Sequence, residues 1–136
     1  MTEHLTPLPQ AEMVMRALIR TEFGLEEGQY HQVGRDLLGT PPAPWYVRIQ
    51  KVGGRSGQLQ GMAVLDIEVF APDYVVADSI AAALEGILLG YPHVVEVGEE
   101  IVVIDSVDQN VAPHEIFWDD ERVSRILATY VITLRR

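Results

Sequence analysis

Apolar positions recur along this chain at two periods, and the switches between them mark its elements. After a Pro7-Leu8-Pro9 entry, Ala11, Val14, Met15, Leu18 and Glu22 fall at helical spacing, which predicts a helix from Gln10 to about Phe23 that stops at Gly24. Met13, Met15, Ile19 and Phe23 broaden its apolar face, with the methionines serving as core filling. From Leu25 to Pro44 the glycines at 28, 34 and 39 and the Pro41-Pro42-Ala43-Pro44 run break up any long helix or central strand, so this stretch reads as a connecting segment. At Trp45 the period changes to two. Trp45, Val47 and Ile49 alternate with Tyr46, Arg48 and Gln50, and Ala63, Leu65, Ile67 and Val69 alternate with Asp66 and Glu68. Two half-buried strands, up to Val52 and from Gly61 to Phe70, therefore flank a glycine-rich connection at about 53–60 and form a hairpin with a flexible tip.

Ala71-Pro72-Asp73 opens the clearest helix, from about Pro72 to Leu89. Val76, Ile80, Ala83, Leu84, Ile87 and Leu88 form its apolar stripe, and Gly90 and Pro92 end it. Its other side, Asp78, Ser79, Ala82 and Glu85, is thin in charge, as a packed face or an alanine-rich helix would be. His93 to Val97 and Glu100 to Val107 then predict a tight hairpin about Gly98, Asp108 to Glu115 a polar break, and Val123 to Leu134 a long last strand. In that strand Ile126, Ala128, Tyr130, Ile132 and Leu134 share a face. The order helix, two strands, helix, strands predicts an α+β fold: a mainly antiparallel or mixed β-sheet with its two main helices packed on one face.

Size fits this reading. A chain of 136 residues that is 48% hydrophobic and 22% charged has the composition of one folded domain, taken as residues 1–136. Without cysteine, disulfides, thiolate metal sites and cysteine nucleophiles drop out. No apolar run suits a membrane span, and the first ten residues do not read as a targeting signal, so no membrane partner is expected.

Charge changes the picture more. Twenty acids against ten bases give a net charge of −10, which argues against a protein built to grip nucleic-acid phosphates. The 66 residues between Arg55 and Arg122 contain no Lys or Arg and carry 14 acids, whereas Arg122, Arg125, Arg135 and Arg136 close the chain without one. Such a distribution fits a solvated acidic surface, and equally a surface in which the acidic side of one copy meets the basic side of the next.

Chemical motifs are scarce, and the chain reads as a non-enzyme without metal or cofactor. The Gly53-Gly54-Arg55-Ser56-Gly57 string is followed by a strand, whereas phosphate-binding glycine loops lead into a helix. None of His4, His31, His93 and His114 has a metal partner at helical spacing, and His114-Glu115 with Asp119 and Asp120 is the nearest approach to a ligand cluster. The four serines, Ser56, Ser79, Ser106 and Ser124, sit in no nucleophile elbow. Asp66 and Glu68 project together and could do acid–base work if one were desolvated, but a solvated strand face is the simpler reading.

The order of elements, the strand-to-helix passage Asp-Ile-Glu-Val-Phe-Ala-Pro-Asp-Tyr, the string Ile-Phe-Trp-Asp-Asp-Glu-Arg-Val and the terminal Ala-Thr-Tyr-Val-Ile-Thr-Leu-Arg-Arg resemble small tail terminator proteins of long-tailed phages, particularly those of actinobacterial hosts. The likeness spans most of residues 9–136. It implies a homohexameric ring at the head–tail junction of the virion, assembled in the host cytoplasm. That ring would cap the major tail tube protein, offer a docking surface to a head–tail connector or stopper protein, and let phage DNA pass through its lumen without specific binding. Three candidate contact regions follow: Gly53, Gly54, Arg55, Ser56 and Gly57 as an arm, Phe117, Trp118, Asp119, Asp120 and Glu121 as an aromatic-acidic contact, and Arg122, Arg125, Arg135 and Arg136 as its basic counterpart. Trp118 suits an interface anchor or its own subunit's core equally well. Another neck component, or a small-molecule-binding α+β domain, are the alternative readings.

Overall fold

The buried stripe of the first helix, α1 (Ala11–Glu22), is Ala11, Val14, Met15, Leu18 and Ile19, while Met13 and Glu22 face outward. At its end Gly24 takes a φ of 63°, and the N–H groups of Phe23 and Leu25 return to the carbonyls of Ile19 and Arg20. A glycine supplies that left-handed step without steric cost. These details come from a computed structural model, which describes residues 8–35, 44–55, 60–117 and 122–136.

After α1 come a short 3-10 helix (Glu27–Gln32) and the strands β1 (Val33–Gly34), β2 (Tyr46–Arg55) and β3 (Gln60–Ala71). Helix α2 (Tyr74–Leu89) follows, then β4 (His93–Val97), β5 (Glu100–Ile116) and β6 (Ser124–Arg135). The strands form one six-stranded mixed sheet in the order β1-β2-β3-β6-β5-β4, parallel only between β1 and β2. The centre is the uninterrupted β3–β6 ladder, from Gln60 opposite Arg135 to Ala71 opposite Ser124. Its register sets Ala63, Leu65, Ile67 and Val69 across from Ile132, Tyr130, Ala128 and Ile126, so both alternating patterns fall on one face. That face, α1 and α2 share a single core. The architecture is the expected α+β class, with a mixed sheet and both helices on one side.

Helix α2 starts two residues later than its pattern suggested because Asp73 is its cap, accepting the Val76 N–H at 3.0 Å. Its buried line is Ala77, Ala81, Leu84 and Leu88, Ala83 is exposed, and Val76, Ile80 and Ile87 pack only partly against the core. The two alanines at the contact let the helix lie close to the sheet, and the larger side chains fill its flanks.

Three loop readings give way to regular structure. The expected connecting segment from Leu25 contains the 3-10 helix and β1, where Val33 and Gly34 pair with Val47 and Arg48; residues 36–43 lie outside those described. Gly53, Gly54 and Arg55 continue β2 beyond a bulge at Lys51/Gly53 and pair with Val64, Ala63 and Met62, so they are strand rather than flexible tip. Asp108 to Glu115 belongs to β5, whose three irregularities between Ile104 and His114 shift the alternation enough to disguise a strand as a break.

Candidate assembly surface

The face of the sheet opposite the helices carries a buried carboxylate, Glu68. Register places Arg48 of β2 opposite Glu68 of β3, and Arg125 of β6 diagonally beside it. Glu68 is 3% exposed and lies between two guanidinium groups: Arg48 Nη1 donates at 3.0 Å, and Arg125 donates through Nε and also pairs through Nη2. Arg125 in turn lies over the Phe70 ring, which packs against Tyr46. Asp66 accepts the Thr129 hydroxyl at 2.7 Å. The expected solvated Asp66–Glu68 face is thus corrected: Glu68 is buried and charge-paired, because the adjacent strands carry an arginine on each side of it. Both oxygens are engaged by cations, so the pair makes a cross-strand clamp across three strands.

The basic tail is likewise folded back on the acids that precede it. Arg135 Nε donates to Asp105 at 2.8 Å and Arg136 Nη2 pairs with Glu100 at 3.1 Å. Charge segregated along the sequence is therefore paired in space, since β6 lies between β3 and β5. All four of the basic group hold interactions within their own chain, Arg125, Arg135 and Arg136 as ion pairs with Glu68, Asp105 and Glu100.

The candidate contact residues fall into two sets at opposite ends of the sheet. Gly53, Gly54 and Arg55 sit where Met62 faces Thr133, near Arg135 and Arg136, whereas Phe117 follows the Ile116–Arg125 pair at the far end. Along β3 these ends lie level with Met62 and Phe70, eight residue steps apart, roughly 27 Å at about 3.4 Å per residue. Phe117 is 83% exposed. Ser56, Gly57, Trp118, Asp119, Asp120 and Glu121 lie outside the described residues.

Two clefts of about 270 and 350 Å³ run between α1 and β4. Leu18, Thr21, Val94 and Ile101 line the first, and Arg20, Leu25, Tyr30 and Glu96 the second. Arg20 is occupied there: its Nη2 donates to the carbonyls of Tyr30 at 2.7 Å and Val33 at 3.0 Å, and burial lowers its pKa. Among the described residues no group of three or more His, Asp or Glu side chains is placed to share a metal ion. No helix there is long and apolar enough to cross a membrane.

Sequence reasoning missed two polar networks. One is the Arg48–Glu68–Arg125 clamp, legible only once the register is known. The other is Gln109, which donates to Glu85 at 2.6 Å and reaches the Tyr130 hydroxyl at 3.4 Å, tying α2 to β5 and β6. Burial, the largest influence, raises the Tyr130 pKa.

No family model matches the chain, and no curated protein matches its sequence. Among solved structures it is similar in fold to a chain from the virion of a native gene transfer agent particle, with a TM-score of 0.62 and 17% identity, covering 93% of this chain and 95% of that one. A second solved chain has a TM-score of 0.52 and 15% identity, covering 94% and 98%. At these identities the likeness establishes a shared fold over nearly the full length of each chain.

Proposed function

We propose that this protein is a structural component of a phage-like virion, a tail terminator that forms a ring at the head–tail junction. The observation that carries the reading is the near full-length likeness to a chain of a gene transfer agent virion, 93% of this chain on 95% of that one. Independent support comes from the tail-terminator resemblance of its sequence. In this role the ring is a homohexamer that caps the tail tube and presents a surface to the connector, and its work is assembly rather than catalysis. DNA passes through the ring, and a net charge of −10 suits a lumen that must not hold phosphates.

The test is the mass of the purified protein by light scattering, alone and with the tube protein of the same particle, followed by electron microscopy of the mixture. A sixfold species that binds the end of tubes is the expected result. A species that stays monomeric and ignores the tube would overturn it, and a ring that binds only the connector would move the protein to the head side of the neck.

A further inference from the structure

We propose that neighbouring copies join edge to edge, the outer edge of β4 in one subunit receiving the end of β2, Val52–Arg55, from the next. This seam rests on the ring reading above and specifies which surfaces close it.

The two edges are the unpaired margins of one sheet. β4 is its last strand on one side. On the other side β1 covers only Val47 and Arg48, and the Lys51 N–H is taken by Glu12 at 3.3 Å. From Val52 to Arg55 the outer margin of β2 has no strand partner among the described residues. Edges of this kind attract another strand unless they are blocked by proline or lysine. Within β4 neither occurs, Pro92 standing just before it, and its one charged residue is Glu96; on β2 Lys51 stands just before the open stretch. Both margins also show apolar side chains to solvent: Val52 is 52% exposed, Val94 70%, and Ile101, beside β4, 57%.

Charge selects the pairing. The β4 margin carries the exposed carboxylates Glu96 and Glu99, whereas the β2 end carries Lys51 and the exposed Arg55. Arg125, Arg135 and Arg136, expected to belong to the basic counterpart, are engaged inside their own subunit, by Glu68, Asp105 and Glu100. Lys51 and Arg55 stand at a margin that β4 can reach, and opposite charges there fix partner and register.

Topology supplies the direction. Since β2, β3, β6, β5 and β4 alternate in sense, β2 and β4 run the same way. Rotation about an axis along the strands preserves that sense, so copies arranged around such an axis meet β4 to β2 in parallel. The surfaces differ, which makes the contact heterologous and lets it close into a ring.

The experiment is a charge reversal read by light scattering at 0.15 M salt, a roughly physiological ionic strength, with circular dichroism to establish folding. Arg55→Glu alone, and Glu96→Arg with Glu99→Arg, are each expected to weaken assembly about tenfold or more, and their combination to recover most of it. Hydrogen exchange at residues 94–97 is expected to slow on assembly. If the wild type forms rings but the reversals leave assembly unchanged, the combination fails to recover, or exchange at 94–97 stays fast in the ring, the seam is wrong and the ring stands. A wild type that remains monomeric with and without the tube protein overturns both.

Discussion

Glu68 illustrates how one residue's environment decides its meaning. An exposed carboxylate on a strand keeps its water, but Glu68 is 3% exposed and its two oxygens are paired with Arg48 and Arg125 instead. Removing one member of a buried charge set leaves the rest desolvated without compensation. Glu68→Gln is therefore expected to destabilise the fold by about 3 kcal/mol in urea titrations, whereas Asp66→Asn, which keeps an acceptor for Thr129, should cost under about 1 kcal/mol. Equal costs for the two would show that the clamp contributes nothing special. Tyr130 gives a pH signature. Burial raises its folded pKa above the unfolded value of 10.0, so its contribution is complete below that value and is lost as pH rises through the folded one. Tyr130→Phe retains the ring and removes the titration. Its stability should fall less steeply than that of the wild type above pH 10.0, with a neutral-pH cost of about 1 kcal/mol for the lost hydroxyl contact. Parallel slopes in urea midpoints across that range would exclude the effect.

At the scale of elements, the misread segments share a cause. Gly53 and Gly54 look like a turn because glycine punctuates most loops, yet here it serves a close approach inside a strand. Gly54 has a φ of 115°, and a Cβ there would lie 2.2 Å from the Met62 carbonyl oxygen. Gly54→Ala should therefore cost about 2 kcal/mol or more, with the largest amide shift changes confined to residues 52–55 and 60–64. A substitution neutral to within about 0.5 kcal/mol would mean that the β2 end relaxes freely, as a flexible tip would. In β5 the polar run Asp108 to Glu115 hid a strand because its irregularities break strict alternation. Both helices and the uninterrupted parts of β2, β3 and β6 were legible, since their periodicity is undisturbed. α2 was legible in extent but rotated in face: Ala77 and Ala81 join Leu84 and Leu88 on the line of contact, and Val76, Ile80 and Ile87 flank it.

For the whole molecule, the sequence showed an acidic middle and a basic end, but not that β6 would bring that end back against Glu68, Asp105 and Glu100. What remains is a subunit with a net charge of −10 and a small basic margin at Lys51 and Arg55. Assembly of such subunits sets two electrostatic effects against each other at different ranges. Repulsion between like-charged copies acts over distances of tens of ångströms and is largely screened once the Debye length falls to ~10 Å near 0.1 M salt. Attraction between paired side chains at a seam acts over ~4 Å, and weakens mainly as the Debye length approaches 3 Å near 1 M. The proposed ring assembly through a β4–β2 seam should therefore strengthen from about 0.01 to 0.15 M salt and weaken again toward 1 M. Light scattering at fixed protein concentration checks the profile. A steady rise to 1 M would point to an apolar contact, since salt would then remove only repulsion. A steady fall from the lowest salt would mean that short-range attraction already outweighs the repulsion of the whole subunits.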